Sequence, residues 1–204
     1  TIEVIAGKNK TLREAYNELL ISFTEDYDLL VRAYDEGIAY RFITRLGGEI
    51  IINSEDAVFN FTFTPTVYFP ECDTNYSGEK DQEGKVHQIH QGYRNFERLY
   101  KIYNAPTEIT NNRFSVSPVL FSHPDTSYKI VVTESDTYDY PGLYMEQNGP
   151  NSMRGKWAQY PKEVMDEDPS NPNYWYSNHL VISRENYIAK TEGNRTFPWR
   201  VIIV

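Results

Sequence analysis

One group of side chains able to do chemistry is the run TESDTYDYPG, residues 133–142, where the carboxylates Glu134, Asp136 and Asp139 follow an apolar stretch over 128–132. Loops that open at the end of a strand are where ligand-contacting residues gather. Clustered carboxylate oxygens suit a hard cation such as calcium, although this run lacks the spacing of the twelve-residue calcium loop. The plainer reading is a solvated acidic corner. A glycosidase pair of acids would look no different here, because its two carboxylates need a separation in space rather than in sequence. The histidines are His87, His90, His123 and His179. His87 and His90, three apart in VHQIH, could offer two imidazoles to a metal from one helical face, but no third ligand stands at a recognisable spacing, so a solvated loop pair is expected.

Other chemistries lack their residues. The chain has no G-x-x-x-x-G-K-[ST], no G-x-G-x-x-G and no G-x-S-x-G, so neither a phosphate-cradling loop nor a serine elbow is indicated. Cys72 is the single cysteine, which excludes an intrachain disulfide and a thiolate zinc cluster. With 20 Lys and Arg against 29 Asp and Glu, the formal charge is −9. That balance opposes a nucleic-acid surface, which needs basic groups to displace phosphate counterions. The longest apolar runs, such as 201–204, fall far short of the roughly 18 residues of a membrane span. The first residues, TIEVIAGKNK, carry neither an initiating Met nor a signal peptide pattern, so a processed chain or a piece of a longer one is expected.

The elements that must position these groups read as strands. Seventeen Tyr, ten Phe and three Trp make 15% of the chain aromatic, which favours pleated, half-buried surfaces; exposed rings could alternatively stack on sugars. Residues 27–34 and 38–45 flank Asp35-Glu36-Gly37 and predict a hairpin, with Gly37 in its turn. Gly47-Gly48 predicts the next turn and 49–53 the next strand. Ala57, Phe59, Phe61 and Phe63 alternate with Val58, Asn60 and Thr62, which places the phenylalanines on a buried face. Pro65 and Pro70 read as the end of that region, 71–97 as a polar excursion with a helical turn near 95–101, and 161–172 as a loop. Further strands are expected at 115–121, 128–133, 143–146, 179–183 and 199–204, and the only candidate helix at 12–20. Trp199 and Tyr140, beside prolines, should be mostly buried. Many short strands separated by turns indicate an antiparallel sandwich in one domain over 1–204.

Three stretches together resemble a known family. LLVRAYDEGIAYRF (29–42), SPVLFSHPDTSYKIVVTESDTYDYPGLYM (117–145) and YIAKTEGNRTFPWRVIIV (187–204) are similar, in order, to the N-terminal domain of glycoside hydrolase family 97. The resemblance implies a mainly β, galactose mutarotase-like antiparallel β-super-sandwich. In this family of α-glucosidases and α-galactosidases the domain precedes a catalytic (β/α)₈ barrel that carries the catalytic carboxylates. The family normally opens with strands ahead of the block matching 16–23, so the sandwich is expected to be incomplete at its start, and 71–97 has no counterpart.

On that reading this chain hydrolyses nothing by itself. It packs on the barrel of the same polypeptide, shapes one wall of the cleft for an α-linked oligosaccharide, and lies in a bacterial periplasm or outside the cell. The resemblance further implies that Glu134 is the one calcium ligand the domain contributes in the full-length enzyme, with Asp136 and Asp139 weaker outer candidates. An isolated Glu134 is then exposed or bonded to local backbone donors. Two other functions compete. One is a free-standing carbohydrate-binding module; the other is a mutarotase-like enzyme that would need His179 and Glu134 to converge.

Overall fold

The computed structural model describes residues 2–3, 7–72, 79–80, 86–87, 99–110, 113–164 and 181–204. In chain order the strands begin with β1 (Ile2–Glu3), β2 (Thr11–Leu12), β3 (Asn17–Ser22), β4 (Tyr27–Tyr34), β5 (Gly37–Ile52), β6 (Val58–Asn60) and β7 (Thr66–Pro70). There follow β8 (Glu79–Lys80), β9 (Val86–His87), β10 (Tyr100–Tyr103), β11 (Phe114–Val116), β12 (Val119–Ser122) and β13 (Lys129–Ser135). The last are β14 (Tyr144–Gln147), β15 (Ser152–Lys156), β16 (Pro161–Val164), β17 (Val181–Arg184), β18 (Ala189–Thr196) and β19 (Trp199–Ile203). Among the described residues there is no α-helix.

A nine-stranded sheet runs β10-β7-β12-β13-β19-β5-β4-β3, with β18 pairing the far half of β5, and a four-stranded sheet runs β11-β14-β15-β6. The named pairings are antiparallel. The two sheets enclose a core that includes Val67, Phe69, Val119, Phe121 and Val132 from the large sheet and Met145 and Met153 from the small one. This is the expected mainly β sandwich, built from alternating inward residues on facing sheets. The hairpin β4–β5 forms, but its turn is Asp35-Glu36 alone: Gly37, expected in the turn, is the first residue of β5 and pairs with Tyr34. At Gly37 φ is +154° and a Cβ would overlap the Ile202 carbonyl oxygen on β19, so only glycine permits β5 and β19 to approach here.

Several expectations are corrected. Residues 12–20 are not helical: Leu12 ends β2, and β3 pairs residue for residue with β4. Gly47-Gly48 makes no hairpin turn, and 49–53 is not a separate strand. β5 passes through both glycines, bending where Gly48 takes φ 69° and where the register with β18 shifts between Glu192 and Asn194. β6 covers only Val58–Asn60, but the alternation holds: Phe59, Phe61 and Phe63 are half-buried, Phe59 and Phe61 against the core, and Asn60 and Thr62 face out. The segment between Pro65 and Pro70 is a central strand, β7, because its Val67 and Phe69 fill the core. Stretch 115–121 is divided between β11 and β12 in different sheets, and Lys101 lies in β10 rather than a helical turn. Pro161–Val164 is a strand paired with β17 rather than loop. The remainder of the 161–172 loop, most of the 71–97 excursion, His90 and His179 lie outside the described residues.

Opposed residues on neighbouring antiparallel strands share a face. One row across the large sheet is Leu19–Val31–Tyr40–Arg200–Glu134, carried by β3, β4, β5, β19 and β13. The next rows on that face are Ile21–Leu29–Phe42 and Ala33–Ile38–Ile202–Val132. Val132 is a core residue, so this is the face that the small sheet covers. The covering stops short of the β3–β5 end, where Leu19, Ile21, Ile38 and Phe42 are exposed. The opposite face carries Arg32, Ala39 and Val201, with a small cluster of Leu30, Ala39 and Trp199.

Candidate functional site

Arg200 sits in the middle of the inner face with only 2% of its side chain exposed. A guanidinium cannot shed its proton inside a protein, so burial demands anionic partners. Glu55, from the loop after β5, accepts from Nε at 2.7 Å and from Nη2 at 2.6 Å, a bidentate pair. Glu134, near the end of β13, accepts from Nη1 at 2.8 Å through Oε2. Its Oε1 accepts the Leu143 backbone N–H at 2.7 Å, and the Tyr140 hydroxyl donates to Glu55 Oε2 at 3.0 Å. Burial works against the charge on Arg200, but Glu55 and Glu134 outweigh it and raise the pKa above that of an ordinary arginine. Burial likewise pushes the Glu134 carboxyl up, despite the opposing Leu143 N–H and Arg200 charge. The Tyr140 hydroxyl is pushed far up by burial and by the charge of Glu55.

Over this network opens a cleft of about 510 Å³. Arg200, Glu55 and Tyr140 line it together with Tyr27, Phe42 and Phe197. Tyr140 and Phe197 meet edge to face, with ring centroids 5.5 Å apart. The acidic turn beside it is fixed by its own contacts: Asp136 (φ 63°) accepts from Arg41 at 2.8 Å, and Asp139 (φ 49°) accepts from the Thr191 hydroxyl at 3.1 Å. Arg195 donates to the backbone carbonyls of Tyr138 and Asp139 at 2.8 and 3.1 Å. An apolar cleft with a few converging polar groups of shifted pKa is the usual form of a binding site.

The family profile described as Glycosyl-hydrolase 97 N-terminal matches residues 1–204. The chain belongs to glycoside hydrolase family 97, as its N-terminal domain. A retaining alpha-galactosidase of Bacteroides thetaiotaomicron is 29% identical over 194 residues, covering 95% of this chain and 27% of that protein. A glycoside hydrolase family 97 enzyme from Pseudoalteromonas sp. strain K8, solved in complex with acarbose, matches with a TM-score of 0.64 at 15% identity, over 99% of this chain and 25% of its own. A beta-arabinopyranosidase structure matches with a TM-score of 0.57 at 17% identity, over 95% and 28%. At such identities the structural likeness establishes the fold. The family 97 N-terminal domain seen here spans about a quarter of the length of these relatives.

Within this family 97 domain, Glu134 does end a strand, but its carboxylate turns inward to Arg200 with 11% of the side chain exposed. It does bond a local backbone donor, the Leu143 N–H. Each of its oxygens keeps one lone pair beyond these bonds, enough to serve as one ligand to a hard cation. The adjoining positive charge of Arg200 opposes a cation there, and among the described residues no three His, Cys, Asp or Glu converge as a metal site. Trp199 is 8% exposed, and Tyr140 is half-buried against the core, as their sequence context suggested. Sequence reasoning missed Arg200 and Glu55 as site residues. A charged residue inside the apolar run WRVIIV was a readable signal for Arg200; Glu55 gave none. Replacing Arg200 by Gln would leave two buried carboxylates without their cation, and should lower the unfolding free energy by about 3–5 kcal/mol, measurable by urea denaturation.

Proposed function

We propose that this domain is the non-catalytic β-sandwich of an α-glycoside hydrolase, an α-glucosidase or α-galactosidase, that packs on the catalytic barrel and forms one wall of its substrate cleft. The observation that carries the reading is the uncovered apolar end of the inner sheet face, where Leu19 and Ile21 on β3 and Ile38 and Phe42 on β5 stand in adjoining rows. An apolar patch of this kind marks a contact surface, because leaving it in water forgoes about 25 cal/mol for each Å² that could be covered. The relatives carry roughly three quarters of their length beyond the matched part, which supplies a body large enough to cover it. The cleft over Arg200 shares Phe42 with that face, so the docked barrel would meet its aromatic walls.

In the full-length enzyme, Phe42→Asp with Leu19→Asp should separate the domain from the barrel. The expected readouts are cleavage between domains in limited proteolysis and a fall in kcat/KM. Unchanged proteolysis and activity would refute docking through this face.

In the full-length enzyme this domain also supplies one ligand to a calcium ion. Glu134 offers one remaining lone pair on each carboxylate oxygen from a rigid strand end, the other oxygens coming from the barrel, since calcium takes about six to eight. Glu134→Gln in the full-length enzyme should weaken calcium binding at least tenfold. Equal affinity in both proteins would leave Glu134 as a structural partner of Arg200 and the Leu143 N–H only.

A further inference from the structure

The outer face of the same sheet, turned away from the cleft and the apolar end, carries a second cavity of about 520 Å³. Glu14, Arg32, Tyr34, Asp136, Tyr138 and Trp199 line it. Arg32 and Tyr34 point to this side because they alternate with Val31 and Ala33, which belong to the inner rows.

The groups that could meet a ligand are held in place. The Arg32 guanidinium lies 4.3 Å from the ring centroid of Tyr16 and 4.8 Å from that of Trp199, and Nε donates to Glu18 at 2.7 Å. Arg41 lies 4.4 Å from the Trp199 ring and donates to Asp136 at 2.8 Å. The Tyr34 hydroxyl donates to Glu14 at 3.1 Å. Such fixing lowers the cost of ordering side chains when a ligand binds.

The lining also defines the ligand class. Glu14 and Asp136 line it with Arg32, and the neighbouring Glu18 and Arg41 pair with Arg32 and Asp136, so the opposite charges nearly cancel and the cavity has no strong field to concentrate a phosphate or a metal ion. It instead sets carboxylate acceptors beside guanidinium donors, the pattern that serves a neutral molecule whose hydroxyls both donate and accept. Trp199 is already capped by two guanidiniums, but the Tyr138 ring at the edge of the cavity is 79% exposed. Its backbone carbonyl accepts from Arg195 at 2.8 Å, which fixes the turn that carries it, and the exposed ring offers an aromatic face for the C–H side of a sugar ring.

We propose that this outer cavity binds one pyranose ring of a neutral α-linked oligosaccharide, with Tyr138 as the stacking face and Arg32, Asp136 and Glu14 as hydroxyl partners. The choice of a sugar among neutral polyols rests on the reading of the chain as a glycosidase domain. The site itself rests on the outer face and not on how the barrel docks.

The test uses the full-length enzyme and two thio-linked disaccharides that resist hydrolysis, thiomaltose and a thio-linked α-galactosyl-glucose. Saturating sugar should slow backbone hydrogen exchange in a peptide covering 134–142. Tyr138→Ala should abolish that protection and weaken calorimetric binding of the sugar at least fivefold, whereas Tyr138→Phe, which keeps the ring, should retain both. Because Tyr138 is exposed, neither variant should change the melting temperature. Protection by one disaccharide alone fixes the sugar the cavity prefers and supports the proposal. Overturning results are unaltered exchange in 134–142 with both sugars, or protection and affinity that persist in Tyr138→Ala. Disruption of domain docking by Phe42→Asp is read by proteolysis, so failure of the docking surface and failure of the sugar site give different results.

Discussion

A permanently charged guanidinium buried under the large sheet sets conditions that several separate segments must meet. Arg200 stands on β19 among apolar neighbours and cannot be neutralised, so its three hydrogen bonds to carboxylates are what allow that strand to lie in the interior. Glu55 brings the loop after β5 to it, and Glu134 brings the end of β13. Glu134 in turn captures the backbone of Leu143, and Glu55 captures the hydroxyl of Tyr140. The acidic turn 134–142 is therefore tied at both ends to one cation. The cleft above Arg200 exists because that turn, Phe197 and the β5 loop are held apart around it.

The same sheet then presents two unlike surfaces, because side chains alternate across a strand. Toward the small sheet its residues are apolar apart from the Arg200–Glu134 pair and end in a patch with no cover; away from it, acids, arginines and aromatic rings surround a polar cavity. Asp136 and Glu134, two residues apart, show the division. Glu134 faces the buried cation, while Asp136, past the end of the strand pairing, reaches Arg41 on the outer side. One short turn thus contributes to both surfaces, and its left-handed residues Asp136 and Asp139 are of the kind that tolerates that conformation better than branched side chains do.

What the sequence disclosed follows how local each signal was. The β4–β5 hairpin was legible because its turn residues and its alternation lie within a few positions of one another. The 12–20 stretch misled because Leu12, Tyr16, Leu19 and Leu20 mimic a helical stripe, and the strand pairing with β4 that overrides it is tertiary. The turn expected at Gly47-Gly48 was a bend, since β18 continues the pairing on both sides of those glycines. Glu134 stood out through its acidic neighbourhood and through the family resemblance. Its actual partner, Arg200, lies 66 residues away, and Glu55 lies 145 from Arg200. No spacing rule reaches that far, so the network that organises the site emerges only with the fold.

The central claim, that the Arg200 cluster is a coupled unit and not a set of independent contacts, is tested most directly by a double-mutant cycle. Arg200→Met and Glu55→Leu would be compared singly and together by urea denaturation followed through tryptophan fluorescence. Each single change strands a buried charge, whereas the double change removes both members of the pair. The account predicts that the double variant is more stable than the sum of the single losses allows, by about 2 kcal/mol or more. Losses that add to within about 0.5 kcal/mol would contradict it.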